Sequence, residues 1–238
     1  MPRPKALAFD VFGTVVDWRG SVAREAKEFC AAIGADIDPF VFADEWRGLY
    51  NPAMEECRAG RRPYTRLDVL QRETLETLLS KHGVDPARVG EEKLAHMAFA
   101  WRRLDPWPDS AEGIARLRER FPCVTLSNGN LALTMMLSRF GGLVWDAVMG
   151  AELTQAYKTL PQSYLGTADI LGVAPNELCL VASHHSDLAA ARKNGLLTAY
   201  IDRPMEYGGR PAPDRAMAQD WEWSASSIIE LAEKMDPR

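Results

Sequence analysis

The sequence has no apolar run approaching the roughly 18 residues of a membrane-spanning helix, so no membrane association is expected. It has no basic excess either: 28 Lys and Arg stand against 33 Asp and Glu, a net charge of −5. Binding a nucleic-acid backbone needs a concentrated basic face, so no nucleic-acid partner is expected. A small anionic substrate needs only two or three local cations and stays open. Cysteine is scarce: Cys30, Cys57, Cys123 and Cys179 lie far apart and form no CxxC pair. Reduced, mostly buried thiols in a cytoplasmic protein are expected, rather than a disulfide framework or a zinc site. Internal repeats and low-complexity segments are absent. The start, MPRPKALAFDVFG, resembles a short signal peptide only until Asp10 interrupts its apolar stretch. What is present is 238 residues, 47% of them hydrophobic, enough for one domain of roughly 150 residues and a smaller companion.

The period of the apolar residues divides the chain. Residues 6–12, ALAFDVF, read as a buried strand ending near Asp10, and Gly13-Thr14 break it. From about 20 to 103 the pattern is helical: Val22, Ala26, Phe29, Cys30 and Ile33 recur at helical spacing. Asp38-Pro39 offers an N-cap with an N1 proline, Gly60 a stop, and Pro52 should kink or split the helix between them. Thr65 with Asp68 resembles a capping box for a helix closed by Gly83, and a further helix is expected over 86–103. After LDPWPD, short apolar strands alternate with helices: CVTLS, WDAVM, LCLVA and LTAYI, with helical stretches near 110–120, 131–140, 161–171 and 187–194. Such alternation predicts a parallel sheet with right-handed crossovers. The expected fold is therefore α/β: a Rossmann-like parallel-sheet core of residues 1–17 and 104–238, with an all-helical cap domain inserted at 18–103. Ligands of open α/β sheets lie beyond the carboxyl ends of the strands, and an insertion there would cover the site as a lid.

Polar residues gather at those strand ends. The first strand delivers Asp10 and then Thr14, CVTLS delivers Ser127 and Asn128, Lys158 follows WDAVM, and LCLVA delivers Ser183, His184, His185 and Asp187. Two acids, a hydroxyl with an amide, and a cation converging from four segments make a candidate active site. Single residues have plainer uses. Asp187 could cap the helix LAAARKN, Thr14 and Ser127 could bond turn backbone, and Arg61-Arg62 could be solvated. Trp221 and Trp223 are expected to pack the C-terminal segment, and His185 to pack or lie behind the site.

FDVFGT, LSNGN, YKTLPQSY and VASHHSDLAAARKNG resemble, in order, the four motifs of the haloacid dehalogenase-like (HAD) superfamily. The resemblance runs through the whole core and implies that Asp10 is a nucleophile forming a covalent ester under a helical cap. Phosphatases of this superfamily carry a second Asp two residues after the nucleophile to protonate a leaving alkoxide, help usually worth about 10²–10⁴-fold. Here that residue is Phe12, and a halide needs no proton. An aromatic residue there, Trp46-Arg47 in EWRGLY, and the Tyr157-Lys158 pair are similar to the L-2-haloacid dehalogenase branch.

The resemblance implies hydrolysis of short (S)-2-haloacids with inversion to (R)-2-hydroxyacids, without cofactor or metal. A carboxylate with a pKa near 3.9 is already ionised at neutral pH, so Asp10 needs alignment rather than a base. By the same resemblance Arg47 and Asn128 accept the halide, with Phe12 as an apolar wall. Ser127 and the backbone amides near Val11 hold the substrate carboxylate, and Lys158 and Asp187 activate or orient the hydrolytic water. Where family members often carry a Ser-Ser-Asn run before the fourth-motif acid, this chain reads Ala182-Ser183-His184-His185-Ser186-Asp187, with His184 where the Asn would stand. His184 could donate a hydrogen bond, act as a base or accept the halide, and a more strongly hydrogen-bonding pocket could suit fluoride. The family also implies a homodimer. Two alternatives remain: a Mg²⁺-dependent phosphatase with the ion on Asp10 and Asp187, and a catalytically idle binding module.

Overall fold

A computed structural model describes residues 3–235. Strand β1 (Ala6–Phe9) is buried along its whole length and is followed by the two-residue strand β2 (Val16–Asp17). Helices α1 (Trp18–Ile33), α2 (Pro39–Arg58), α3 (Leu67–Lys81), α4 (Pro86–Val89) and α5 (Glu91–Ala98) come next, and a 3₁₀ turn over Phe99–Arg102 ends the helical run. Strand β3 (Asp105–Pro106) pairs antiparallel with β2, so a short ribbon ties the two ends of the helical segment together. Then come α6 (Ser110–Arg118), β4 (Cys123–Thr125), α7 (Leu131–Phe140), α8 (Ala151–Thr154) and α9 (Pro161–Ile170). The chain continues through β5 (Leu178–Ala182), α10 (His185–Lys193), β6 (Leu197–Ile201), β7 (Trp223–Ala225) and α11 (Ile228–Lys234).

The main sheet is parallel throughout, in the order β4-β1-β5-β6-β7. Its central strands obey the period of two. Leu7, Phe9, Cys179 and Val181 enter one apolar cluster, while Ala6, Ala8, Leu178, Leu180 and Ala182 enter the other. β1 pairs Ala8 with Val124 on one side and with Leu180 on the other, which brings the carboxyl ends of β4, β1 and β5 level. An aromatic cluster joins this edge to the helical segment. Trp101 lies 5.9 Å from Phe12, 5.5 Å from Trp46 and 6.4 Å from Trp18, ring centre to ring centre. Such pairs contribute about 0.5–1.5 kcal/mol each beyond their buried area.

Several local expectations fare differently. Asp38 caps α2 by accepting from the Phe40 and Val41 amides, with Pro39 in the first turn. Pro52, however, does not split α2. The helix runs unbroken through it, the buried stripe of Phe42, Trp46, Tyr50 and Met54 continuing on both sides of the missing hydrogen bond. Thr65 and Asp68 form no capping box. Thr65 Oγ1 donates to the Pro63 carbonyl and Asp68 pairs with Arg102, leaving Arg66 at the N-cap without a side-chain bond. The helix expected over 86–103 is broken at Gly90, whose φ of +92° a helix cannot hold. WDAVM is not a strand; it lies beside β4 through the isolated Val124–Ala147 bridge and through side-chain bonds of Asp146 to the Cys123 amide and of Thr125 to the Met149 backbone. Arg61 and Arg62 are not simply solvated, pairing with Glu56 and Glu73.

Candidate active site

β1 ends one residue before Asp10, whose amide still bonds the Val181 carbonyl at 3.0 Å. This fixes the backbone of Asp10 to the sheet while its carboxylate projects past the edge. The side chain is buried and both of its oxygens are engaged. Oδ1 accepts from Lys158 Nζ at 2.8 Å. Oδ2 accepts from Thr14 Oγ1 at 2.7 Å and bonds His184 Nδ1 at 3.1 Å. Burial alone would raise the Asp10 pKa, but the ammonium of Lys158 and the His184 ring overcome it and hold the carboxyl far below its usual range. Asp10 is a carboxylate at any neutral pH.

Lys158 Nζ also bonds Asp187 Oδ2, so one buried ammonium stands between two buried carboxylates. Its burial favours the neutral amine, yet Asp10 and Asp187 push the pKa above the ordinary lysine value. Asp187, in the first turn of α10, is further held by Tyr164 Oη at 2.6 Å. Asn128 Oδ1 accepts from the Lys158 amide at 2.9 Å and so fixes the loop that carries the cation. The place a divalent cation would need, between Asp10 and Asp187, is filled by Nζ. Among the described residues no group of three or more His, Cys, Asp and Glu could hold a metal ion. The residues do not fit a magnesium site.

A cavity of about 500 Å³ opens over this cluster, lined among others by Asp10, Phe12, Asn128, Lys158, His184 and Asp187 from the sheet edge. Helix α2 supplies the opposite wall. Arg47, Tyr50, Asn51 and Arg58 line the cavity from one side of the helix, and the fully buried Trp46 and Met54 pack in the core. Arg47 lays its guanidinium 4.1 Å from the centre of the Tyr50 ring, and its buried Nη1 has no hydrogen-bond partner among the described residues. A buried, unpaired cationic donor is costly and answers to an anion. Phe12, edge-on to Tyr50 and Trp101, closes the apolar side.

Not every residue expected from the sequence faces this space. Ser127 is fully buried and its Oγ accepts from the Gly129 amide at 3.0 Å, a bond to turn backbone. Val11 is buried, its carbonyl taken by the Val15 and Val16 amides. Thr14 bonds Asp10 directly and accepts from the Ser183 amide, so it braces the Asp10 carboxylate. His185 packs between Tyr200 and Trp221 and takes a hydrogen bond from the Trp221 indole.

Sequence reading missed one acid. Glu206, in the loop after β6, is 2% exposed and its Oε1 lies 2.9 Å from His184 Nε2. Trp18 Nε1 donates to the same oxygen at 3.1 Å. The carboxylate reaches this depth because Gly13 has no side chain: a Cβ there would stand 2.1 Å from Oε1. A signal exists, since Glu206 lies beyond the carboxyl end of a parallel strand like the other site residues. Three buried acids, Asp10, Asp187 and Glu206, thus surround Lys158 and His184 at the site.

A family model for haloacid dehalogenase-like hydrolases matches residues 4–195. The chain is 32% identical over 201 residues to an (S)-2-haloacid dehalogenase of Xanthobacter autotrophicus, covering 84% of this chain and 75% of that one. The crystal structure of a defluorinating L-2-haloacid dehalogenase superposes with a TM-score of 0.95 at 39% identity, over 98% of this chain and 95% of the other. An L-2-haloacid dehalogenase structure from Xanthobacter autotrophicus with chloropropionic acid covalently bound superposes at 0.80 with 26% identity, over 97% of each chain.

Proposed function

Because this chain belongs to the haloacid dehalogenase-like hydrolase family, we propose that it hydrolyses short (S)-2-haloacids to (R)-2-hydroxyacids and halide through an ester on Asp10. The observation that carries this reading is the buried, unpartnered Nη1 of Arg47 lining the same cavity as an ionised Asp10, with Phe12 where a proton donor would otherwise stand. In this reading residues 1–17 and 104–238 are the core, and 18–103 the cap that brings Arg47 to it. The covalently bound chloropropionic acid in the Xanthobacter structure supports the ester.

Attack uses Oδ1, which accepts one hydrogen bond where Oδ2 is engaged by two groups. The Oδ1 lone pair forms a bond to C2 as the carbon–halogen bond breaks, and the halide leaves with its electron pair to Arg47 and Asn128. Water then attacks Cγ, losing one proton to Asp187, which Lys158 and Tyr164 orient. Collapse of the intermediate breaks the Cγ–Oδ1 bond, and the departing alkoxide takes up that proton. Asp10 is left with the water oxygen and releases the second proton to solvent, restoring the carboxylate. Negative charge develops at both steps, so the cations supply the stabilisation.

We read the protein as cytoplasmic, with free thiols, and as a homodimer. Met135, Met136 and Phe140 on α7, with Val144 beyond it, are each about half exposed and supply apolar surface for a second copy.

The test gives purified protein 2-chloropropionate without added metal, and p-nitrophenyl phosphate with Mg²⁺. Halide release in the first and no phosphate in the second are expected; metal-dependent phosphate release overturns the reading. The halogen range is a narrower point. Likeness to a defluorinating enzyme supports fluoride among the leaving groups, and a fluoride electrode that stays flat on fluoroacetate while chloroacetate is consumed rules it out.

A further inference from the structure

Both ring nitrogens of His184 face carboxylate oxygens, Nδ1 toward Asp10 Oδ2 at 3.1 Å and Nε2 toward Glu206 Oε1 at 2.9 Å. A carboxylate only accepts, so both nitrogens must donate and the ring is an imidazolium. Burial disfavours that charge, but Glu206 and Asp10 together raise the His184 pKa well above the ordinary value. Glu206 is lowered in turn, its burial outweighed by His184. A charged ring cannot serve as a base. It can serve as a donor.

We propose that Glu206 is a positioning residue for the second half of the reaction: it holds His184 so that Nδ1–H, with Thr14 Oγ1–H, stabilises the negative charge that develops on Asp10 Oδ2 when water attacks the ester. The proposal rests on the aspartyl-ester reading. Once Oδ1 is alkylated, Oδ2 is the ester carbonyl, and the two groups already on it, at 2.7 and 3.1 Å, form an oxyanion hole for the tetrahedral intermediate. Alkylation also removes the negative charge of Asp10. From then on Glu206 is the carboxylate that remains bonded to His184, and its charge keeps the ring protonated. Its contribution therefore falls on ester hydrolysis and spares halide displacement.

The surroundings of the pair are fixed from several elements. Trp18 on α1 and Ser183 after β5 bond Glu206, and Gly13 leaves room for it. Arg47 on α2 acts on Glu206 electrostatically, and Tyr207 feels His184, Glu206, Arg47 and Asp214. Lys158 and Asp187 stand on the other side of Asp10.

Glu206→Gln keeps the shape and removes the charge. With 2-chloropropionate, the pre-steady-state burst of halide should keep its rate within about twofold, since displacement does not use Oδ2. Steady-state kcat should fall about 10–100-fold, less than the roughly 10²–10³-fold typical when an oxyanion-hole donor is removed outright, because the ring itself stays, and Asp10-ester protein should accumulate in intact-mass spectra. The sign of the pH effect follows from the ring. Activity that needs the imidazolium is lost as pH rises through its pKa, and without Glu206 that pKa is lower. The alkaline limb of kcat should move to lower pH. Glu206→Asp should recover part of each change and carries the same readouts if the Gln variant does not fold. In a His184→Asn background, Glu206→Gln should add nothing. Superimposable kcat and pH profiles for Glu206→Gln and wild type, or a lost burst with no ester, overturn the proposal. A wild type silent toward haloacids sinks the dehalogenase reading instead.

Discussion

Asp10→Asn is expected to abolish turnover, with kcat on 2-chloropropionate falling about 10⁴-fold or more while the protein stays folded. The amide has the shape of the carboxylate but neither its charge nor a comparably nucleophilic oxygen, and loss of a nucleophile in covalent catalysis costs on this scale. Lys158 keeps Asp187 as partner and His184 keeps Glu206, so no buried cation is stranded. The stability loss should accordingly be small beside the loss of activity, about 1–2 kcal/mol. Halide release by ion chromatography, with thermal unfolding on the same sample, separates the two. Asp10→Asn activity within about tenfold of wild type would remove Asp10 from the nucleophile's role.

Lys158→Met is expected to cost both activity and stability. It leaves Asp10 and Asp187 facing each other in a buried site with their shared cation gone. Breaking a buried ion pair by removing one partner typically costs about 3–5 kcal/mol, here a melting temperature lower by about 6–20 °C. The pH dependence has a definite sign. In the wild type the Asp10 pKa lies below its unfolded value, so its contribution is present above about pH 4 and is lost on further acidification. Lys158 is shifted the other way, and its contribution is present until pH rises past the ordinary lysine range. In the variant, two close carboxylates raise one folded-state pKa above the unfolded value. Protonation then relieves the repulsion, and the gap between variant and wild type should narrow as pH falls from about 7 toward about 4.5. A gap constant across that range would mean that Lys158 stabilises by packing alone.

How much of this could be read from the sequence depends on how each feature is encoded. Strands β1, β5 and β6 announce themselves as apolar runs because both faces of a central parallel strand are buried. Asp10, Asn128, His184 and Asp187 follow from a rule of topology: polar residues just beyond such strands share an edge; Lys158 instead reaches that edge from the loop after α8, behind a segment that forms no strand. Glu206 obeys that rule too, but it lies in the long loop between β6 and β7, where no period marks which side chain turns inward. Its inward turn is made possible by Gly13, far away in the chain. The opposite error arises over residues 145–149, where an apolar run reads as a strand yet forms only an isolated bridge and side-chain bonds beside β4 instead of a ladder. The ribbon of β2 and β3, two residues a side, is too short to carry any pattern. Arg47 is legible only through its tryptophan neighbour. Its cavity-facing stripe on α2 depends on which face of the helix meets the sheet, a tertiary fact.

The central claim is that an oxygen of Asp10 ends up in the product. Single-turnover hydrolysis of 2-chloropropionate in H₂¹⁸O, with protein in excess, tests it most directly. An aspartyl ester delivers unlabelled 2-hydroxypropionate and places ¹⁸O in the peptide containing Asp10. Labelled product with an unlabelled Asp10 peptide would mean that water attacks C2 directly, and would contradict the ester mechanism.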